Sequence, residues 1–432
     1  MKYLLLTGAL GLLFTNSLQA QNKTINAAEV SRIVKTLSAD DMQGRKAFTP
    51  GNDKAADFIQ AEFKKAGLQN FPGLTSFEQK FNVYQVTTEQ SAVVLDGQPL
   101  AHEAFFIQTC AENLNWNQNN PALANISRIE AQDNLSQKFQ EALAGKKSGL
   151  VLIDPAHAEM FKRYQNYLGN NNMHLNLDST TIVFALTTNK NPKNVQVTAQ
   201  NKITPKSLRN VVGYLPGKSR PKEFVIFSAH YDHIGILPAV NGDSIANGAD
   251  DDASGTTAVI ALARYFKKLN NARSLLFVTF TAEEIGGYGA QYFTKQLNPE
   301  QITAMFNIEM IGKESQFGKN AGFITGFDKS DFGAIVQKNL AGSKFAFHPD
   351  PYIKENLFYR SDNAALARLG VPAHTLSTDK IDTDKLYHTV DDEFASLNIS
   401  NMTSIIEAIA QGARSIIAGK DTPTRIQPQD VK

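Results

Sequence analysis

From Leu208 onward, apolar runs and helical patterns take turns along the chain, and that alternation restricts the fold more than composition does. The strand-like runs "NVVGYLP", "EFVIFSAH", "SLLFVTF", "AMFNIEMI" and "PAHTLS" are separated by segments with apolar residues at three- and four-residue spacing. The spacing predicts helices over 254–269, 288–297, 331–340, 362–369 and 399–417. Strands alternating with helices predict an α/β chain, a three-layer sandwich around a mixed, largely parallel sheet. Sheets of this kind collect their ligands in loops beyond the carboxyl ends of the strands.

Two other textures precede this region. Residues 27–68 carry helical spacing in "AAEVSRIVKTL" and "NDKAADFIQAEFKKAGL", with Gly67 placed to end the second helix. Strand patterns follow over 76–94, and Asp96-Gly97 signals a turn. From about 97 to 205 the chain is less regular, with Asn-rich loops around short strands such as "SGLVLID" and "TTIVFAL". This reads as an inserted, mostly β domain over 97–205, which divides the main domain into segments 27–96 and 206–420.

The opening "MKYLLLTGALGLLFTNSLQA" has the form of an export signal. Lys2 supplies the positive start, the apolar stretch is too short to span a bilayer, and Ala20 suits the cleavage position. The expectation is export to the periplasm or the exterior, with cleavage after Ala20. Residue 21 is Gln rather than Cys, which argues against a lipoprotein. Cys110 is the single cysteine, so no internal disulfide can staple the fold. Lysine plus arginine number 43 and aspartate plus glutamate 42, a balance that gives nucleic acid or an acidic membrane no electrostatic handle.

Charge is instead concentrated at strand ends. "FVIFSAH" runs into His230, with Asp232 close behind; "LLFVTF" runs into Glu283 and Glu284; Glu309 interrupts an apolar run; His388 lies in "KLYHTVDD". "GADDDASG" sets Asp250, Asp251 and Asp252 side by side, where like charges repel. A solvated turn with a helix cap accounts for such a run when it is taken alone. Two histidines and several carboxylates at strand termini fit a two-metal hydrolytic site, whose cations offset the repulsion. A calcium loop needs alternating oxygen ligands, which three contiguous aspartates do not supply, and imidazole favours zinc or a similar transition metal.

"SAHYDHIG", "GADDDASG", "TAEEIGGYGA", "FNIEMIG", "RSDNAALARLGVPA" and "YHTVDD" occur in this order and resemble the co-catalytic di-zinc peptidases of clan MH. That family holds secreted aminopeptidases, glutamate carboxypeptidases and related glutaminyl cyclases. The resemblance implies two zinc ions bound by His230, Asp251, Glu284, Glu309 and His388, with Asp251 bridging. It implies Glu283 as the general base and Asp232 as the residue orienting the His230 ring. Several family aminopeptidases have Asp where this chain has Glu309, a departure that bears on metal spacing or on room for a substrate amine. Arg360 and Tyr387 are candidates for touching substrate, whereas His233, His348 and His374 read as structural.

The reading that follows is a secreted zinc metallo-aminopeptidase acting on peptides. A glutamate carboxypeptidase-like enzyme is the alternative, with Arg360 as the candidate for a terminal carboxylate. Glutaminyl cyclase comes next, then a non-catalytic receptor-like relative, which would be expected to have lost ligands or the base. The insertion is a protease-associated-like domain or a lid. The oligomeric state leaves no signal in the sequence.

Overall fold

The computed structural model describes residues 25–170 and 172–427. The expected export signal, residues 1–20, lies outside the described residues. Strands Arg273–Phe280, Arg220–His230, Ile302–Ile308 and Ala373–Ser377 lie side by side in that order, all parallel. Val195–Leu215 and then Glu78–Leu95 extend the sheet antiparallel beyond Arg273–Phe280. At the other side Ala321–Ile324 runs antiparallel to Ala373–Ser377, and Ala346–Pro349 closes the edge.

Both faces of the central strands are covered, which explains why they read as continuous apolar runs rather than alternating ones. Val225, Phe227 and Ala229 pack into one core with helices Ala27–Leu37, Pro50–Ala66, Gly255–Lys267, Phe332–Leu340 and Ile399–Gly412. Ile226, between them, faces the opposite core with Tyr288–Lys295 and Asn363–Ala367. Phe227 stacks at once on Phe266, Phe277 and Phe306, with ring centroids 5.4, 5.6 and 5.1 Å away. Helix, sheet and helix therefore form three layers.

The first two helices begin and end where local chemistry directs. The Asn26 side chain accepts from the Ala28 and Glu29 amides, and Gly67 adopts φ 73°, the left-handed turn that stops Pro50–Ala66. Arg32 meets Glu62 at 2.9 Å, and Arg264 pairs with both Glu29 and Glu62. One charge network thus joins these helices to Gly255–Lys267.

The segment expected as an insertion has a sheet of its own, ordered Phe105–Thr109, Thr181–Leu186, Gly149–Ile153, Ile126–Ile129. Helices Leu135–Ala144 and Ala158–Asn170 accompany it, so strands and helices share the segment. Phe139 from the first and Phe161 from the second pack with Phe184 beneath them. Both helices are short and lie among Asn-rich loops, which set the texture of the segment as a whole. The boundary expected at 205/206 falls inside one strand, because Val195–Leu215 pairs with Glu78–Leu95 from Val195↔Leu95 to Val211↔Glu78. A single two-stranded ladder therefore runs from the main sheet into the insertion.

Candidate functional site

Every charged group singled out above lies at the same end of the parallel strands. Arg220–His230 ends on His230, Arg273–Phe280 leads to Glu283 and Glu284, and Ile302–Ile308 leads to Glu309. His388 arrives on the loop after Ala373–Ser377. Ala282, Met310 and His388 take φ of 59°, 48° and 57°, a left-handed backbone that side chains other than glycine rarely adopt. Such strain concentrates where a site must aim its groups.

Asp251 stands between two imidazoles. Its Oδ1 lies 3.3 Å from His230 Nε2, and its Oδ2 lies 3.2 Å from His388 Nε2. Glu309 Oε1 approaches His230 Nε2 at 3.0 Å, and Glu284 Oε2 approaches His388 Nε2 at 3.1 Å. The five expected ligands are thus brought together in two groups that share one carboxylate. Burial opposes charge on both rings, but the carboxylates win. Glu309 and Asp251 hold His230 well above the usual histidine range, and Asp251 with Glu284 lifts His388 to about 10.

His233 belongs here too, although it read as structural in the sequence. Its Nδ1 lies 2.9 Å from Glu284 Oε1 and 3.7 Å from Asp251 Oδ2, and the ring is buried. The near repeat in "HYDH", which sets a second histidine three residues after His230, was the available signal. His374 and His348 do stand apart. His374 is bonded to Thr325 and Ser330, and His348 stacks on Phe317 at 4.1 Å.

Only the middle aspartate of the acidic loop faces the imidazoles. Asp250 Oδ1 accepts from the Gly312 amide at 2.7 Å, and its Oδ2 lies 3.3 Å from Lys313 Nζ. Asp252 accepts from the amides of His230, Gly255 and Met310 at 3.2, 3.0 and 3.1 Å. Asp392, four residues after His388, accepts from the Asp250 and Asp251 amides, so the acidic loop is fastened to the loop that carries that histidine.

Beneath the acidic loop sits Arg45, fully buried. Its guanidinium donates to the carbonyls of Leu37, Tyr231, Asn247, Gly248 and Asp251. Burial pulls its pKa down, and Asp251, Asp392, Asp232 and Asp252 oppose that pull. Nothing in the sequence pointed to Arg45, which lies just over two hundred residues from the loop.

Asp232 requires a correction. Its carboxylate was expected to orient the His230 ring, but Oδ1 is 3.8 Å from Nδ1, whereas the Asp232 main-chain carbonyl lies 3.1 Å from that nitrogen. The carboxylate instead accepts from the Glu283 and Glu284 amides at 3.1 and 3.4 Å. It holds the glutamate pair, and the backbone holds the ring. Glu309 also shows what its extra methylene does: Oε1 faces His230 while Oε2 accepts from Ser361 Oγ at 2.7 Å.

The glutamate loop is braced from the insertion. Met173 and Leu175 share an apolar cluster with Ala282, Ile285 and Tyr288, and Tyr288 Oη donates to the Met173 carbonyl at 2.8 Å.

A cavity of about 80 Å³ opens beside the cluster, lined by Glu283, Glu309, Met310, Phe323, Ile381 and Tyr387 among others. Burial, with Glu309, Asp362 and Glu284 nearby and His230 opposing, pushes Glu283 well above the usual carboxylate range. Tyr387 lines the cavity and stacks on His388 at 4.0 Å. Arg360 reaches the cavity as an exposed residue 3.6 Å from Glu355, not as a buried cation.

The donors suit a transition metal. Ligand atoms of His230, Asp251 and Glu309 lie within 4.8 Å of one another, as do those of His233, Asp251 and Glu284. Imidazole nitrogen mixed with carboxylate oxygen is a zinc-like donor set. The sequence model of Peptidase family M28 matches residues 210–413, the stretch that supplies every one of these donors. That match covers just under half of the chain.

Relatives of the M28 segment carry consistent names. Aminopeptidase YwaD of Bacillus subtilis is 20% identical over 233 residues, covering 52% of this chain and 48% of that protein. Leucine aminopeptidase 1 of Ajellomyces capsulatus is 26% identical over 209 residues, 45% of this chain and 52% of that one. A probable zinc metalloprotease of Leptosphaeria maculans is 30% identical over 123 residues, 28% of each chain. The chain spans about half or less of the length of these curated relatives.

Solved structures extend the likeness of fold beyond the M28 segment. The zinc aminopeptidase BSAP of Bacillus subtilis superposes with a TM-score of 0.55 at 15% identity, covering 95% of this chain and 100% of that one. The aminopeptidase of Aneurinibacillus sp. strain AM-1 gives 0.52 at 17% identity, covering 95% and 97%. No helix among the described residues is long and apolar enough to cross a membrane.

Proposed function

We propose that the chain is a zinc metallo-aminopeptidase that removes N-terminal residues from peptides. The observation that carries the reading is the Asp251 carboxylate, shared between His230 with Glu309 and His388 with Glu284, with Glu283 on the adjoining wall. In this reading His230, Asp251 and Glu309 hold one zinc ion, and Asp251, Glu284 and His388 hold the other, with His233 beside the second group. Bound zinc would supply Lewis acidity for hydrolysis of a peptide carbonyl.

The residues then divide the remaining work. Glu283 takes the proton of the attacking water and hands it to the departing amine nitrogen. Asp232 fixes Glu283 and Glu284 through their amides, so neither glutamate can drift from its station. The small cavity with Met310, Phe323, Ile381 and Tyr387 on its walls has room for one side chain, which favours trimming from an end. Residues 1–20 add the expectation of export.

The carboxypeptidase alternative is not favoured, because Arg360 is exposed and already faces Glu355. The test is a set of hexapeptides blocked at one end. N-terminal acetylation should prevent cleavage, and C-terminal amidation should leave it nearly unchanged. The opposite pattern would replace this reading with the carboxypeptidase one.

A further inference from the structure

Glu283 lies on two cavities at once. Besides the small one, it lines a second cavity of about 310 Å³ that runs between Gly286, Gly287 and Ala290 on one side and Ala364 and Ala365 on the other. Glu283, Arg360 and Ser361 line both, so the two spaces meet at the proposed base. A group that takes a proton from water and returns it to a leaving nitrogen must face both halves of the scissile bond. If the small cavity holds the residue being removed, the larger one lies where the rest of the peptide leaves. Its glycine and alanine walls let a peptide backbone come close.

The charges in this second cavity are sorted by depth. Asp362 is buried at its inner side, 3% exposed, whereas Arg360 and Arg368 are exposed. Arg360 faces Glu355 at 3.6 Å, but Arg368 has no carboxylate partner among the described residues. Guanidinium is the side chain best shaped to grip a carboxylate. We propose that the second cavity takes the first residue on the leaving side of the bond. Arg368, which has no such partner among the described residues, selects a leaving residue that carries a carboxylate. The inference rests on the aminopeptidase reading and narrows its substrates. The carboxylate has two sources, the C-terminus of a dipeptide or an acidic side chain in a longer peptide.

Full-length, zinc-loaded enzyme should be assayed on Leu-Gly, Leu-Gly-amide, Leu-Glu-amide and Leu-Lys-amide. Leu-Gly or Leu-Glu-amide should exceed Leu-Gly-amide in kcat/KM by about three- to fivefold, the scale of an exposed ion pair, mostly through KM. An advantage for Leu-Gly alone assigns the C-terminal carboxylate, and one for Leu-Glu-amide alone assigns the side chain. Arg368→Gln should erase the margin and Arg368→Lys should restore part of it, with metal content unchanged in both. Equal kcat/KM for all four substrates, or an undiminished margin in Arg368→Gln, would overturn the inference. Failure to cleave any of them, or a hexapeptide control, would instead defeat the aminopeptidase reading itself.

Discussion

Arg45 and Asp251 meet back to front. The guanidinium donates to the Asp251 carbonyl at 3.4 Å, while the Asp251 carboxylate faces His230 and His388 on the other side. One cation from the segment between the first two helices thus fixes the backbone from which the shared carboxylate projects. The loop keeps its shape through Arg45, Asp392 and the two outer aspartates, so Asp251 is free to serve a ligand.

Removing Arg45 should therefore cost stability before it costs chemistry. Arg45→Met would remove the guanidinium that donates to five main-chain carbonyls. Breaking a buried charged network of this kind costs roughly 3–5 kcal/mol. Denaturant unfolding of zinc-free protein would show the loss, and a change below about 1 kcal/mol would mean the network is dispensable.

Metal content tests the donor set directly. Purified protein should hold about two zinc-like ions per chain, and a strong chelator should abolish hydrolysis until metal is returned. Glu309→Asp should retain activity but lose the Oε2 contact with Ser361, weakening the metal shared with His230. Glu309→Ala with unchanged metal and activity would remove Glu309 from the ligands.

In the proposed function the neighbours Glu283 and Glu284 have different duties. Glu283→Gln should lower kcat by roughly 10²–10⁴-fold, the usual contribution of a placed base, with metal content and circular dichroism intact. Glu284→Gln should lose metal together with activity, since Glu284 faces His388 and His233. Metal loss in the first variant and not in the second would mean the duties are exchanged.

His374 should behave as a buried neutral ring. Burial, partly countered by the bond to the Thr325 carbonyl, brings its pKa down to about 4 from 6.5. The unfolded chain binds a proton near 6.5 that the folded chain refuses until about 4. The stability this group contributes is therefore complete above 6.5 and shrinks as pH falls toward 4. Ring proton shifts of His374 should stay flat from neutral pH down to about 5; a midpoint near 6.5 would refute the assignment.

What the sequence disclosed and what it hid divide along physical lines. The α/β class and the gathering of charge at strand ends were legible because strand ends and charged residues are adjacent in the chain, while the choice of the five expected ligands came from the family resemblance. Arg45 was not, since its partners are brought near only by folding. His233 was missed because a histidine beside a ligand looks the same whether it packs or binds. The carboxylate of Asp232 was assigned to the imidazole two residues back, yet the loop geometry turns it toward the amides of Glu283 and Glu284. The helices of the insertion are short and stand between Asn-rich loops, although "LSQKFQEALA" itself carries apolar residues at helical spacing.

The ladder between Glu78–Leu95 and Val195–Leu215 has one irregularity: Gln200 faces Gln90, but Asn201 faces Thr88. Glu89 is the extra residue, a bulge between the part of the ladder that belongs to the main sheet and the part that carries the insertion. The opposite strand carries no extra residue there, so Thr88 and Gln90 face the consecutive Asn201 and Gln200 and take opposite faces although they are two positions apart. Val93 and Leu95, opposite Val197 and Val195, thereby enter the insertion's core with Trp116 and Leu114. Removing Glu89 would keep every one of those pairings and abolish only the local bend and added twist, so this residue sets the angle at which the paired strands leave one domain for the other.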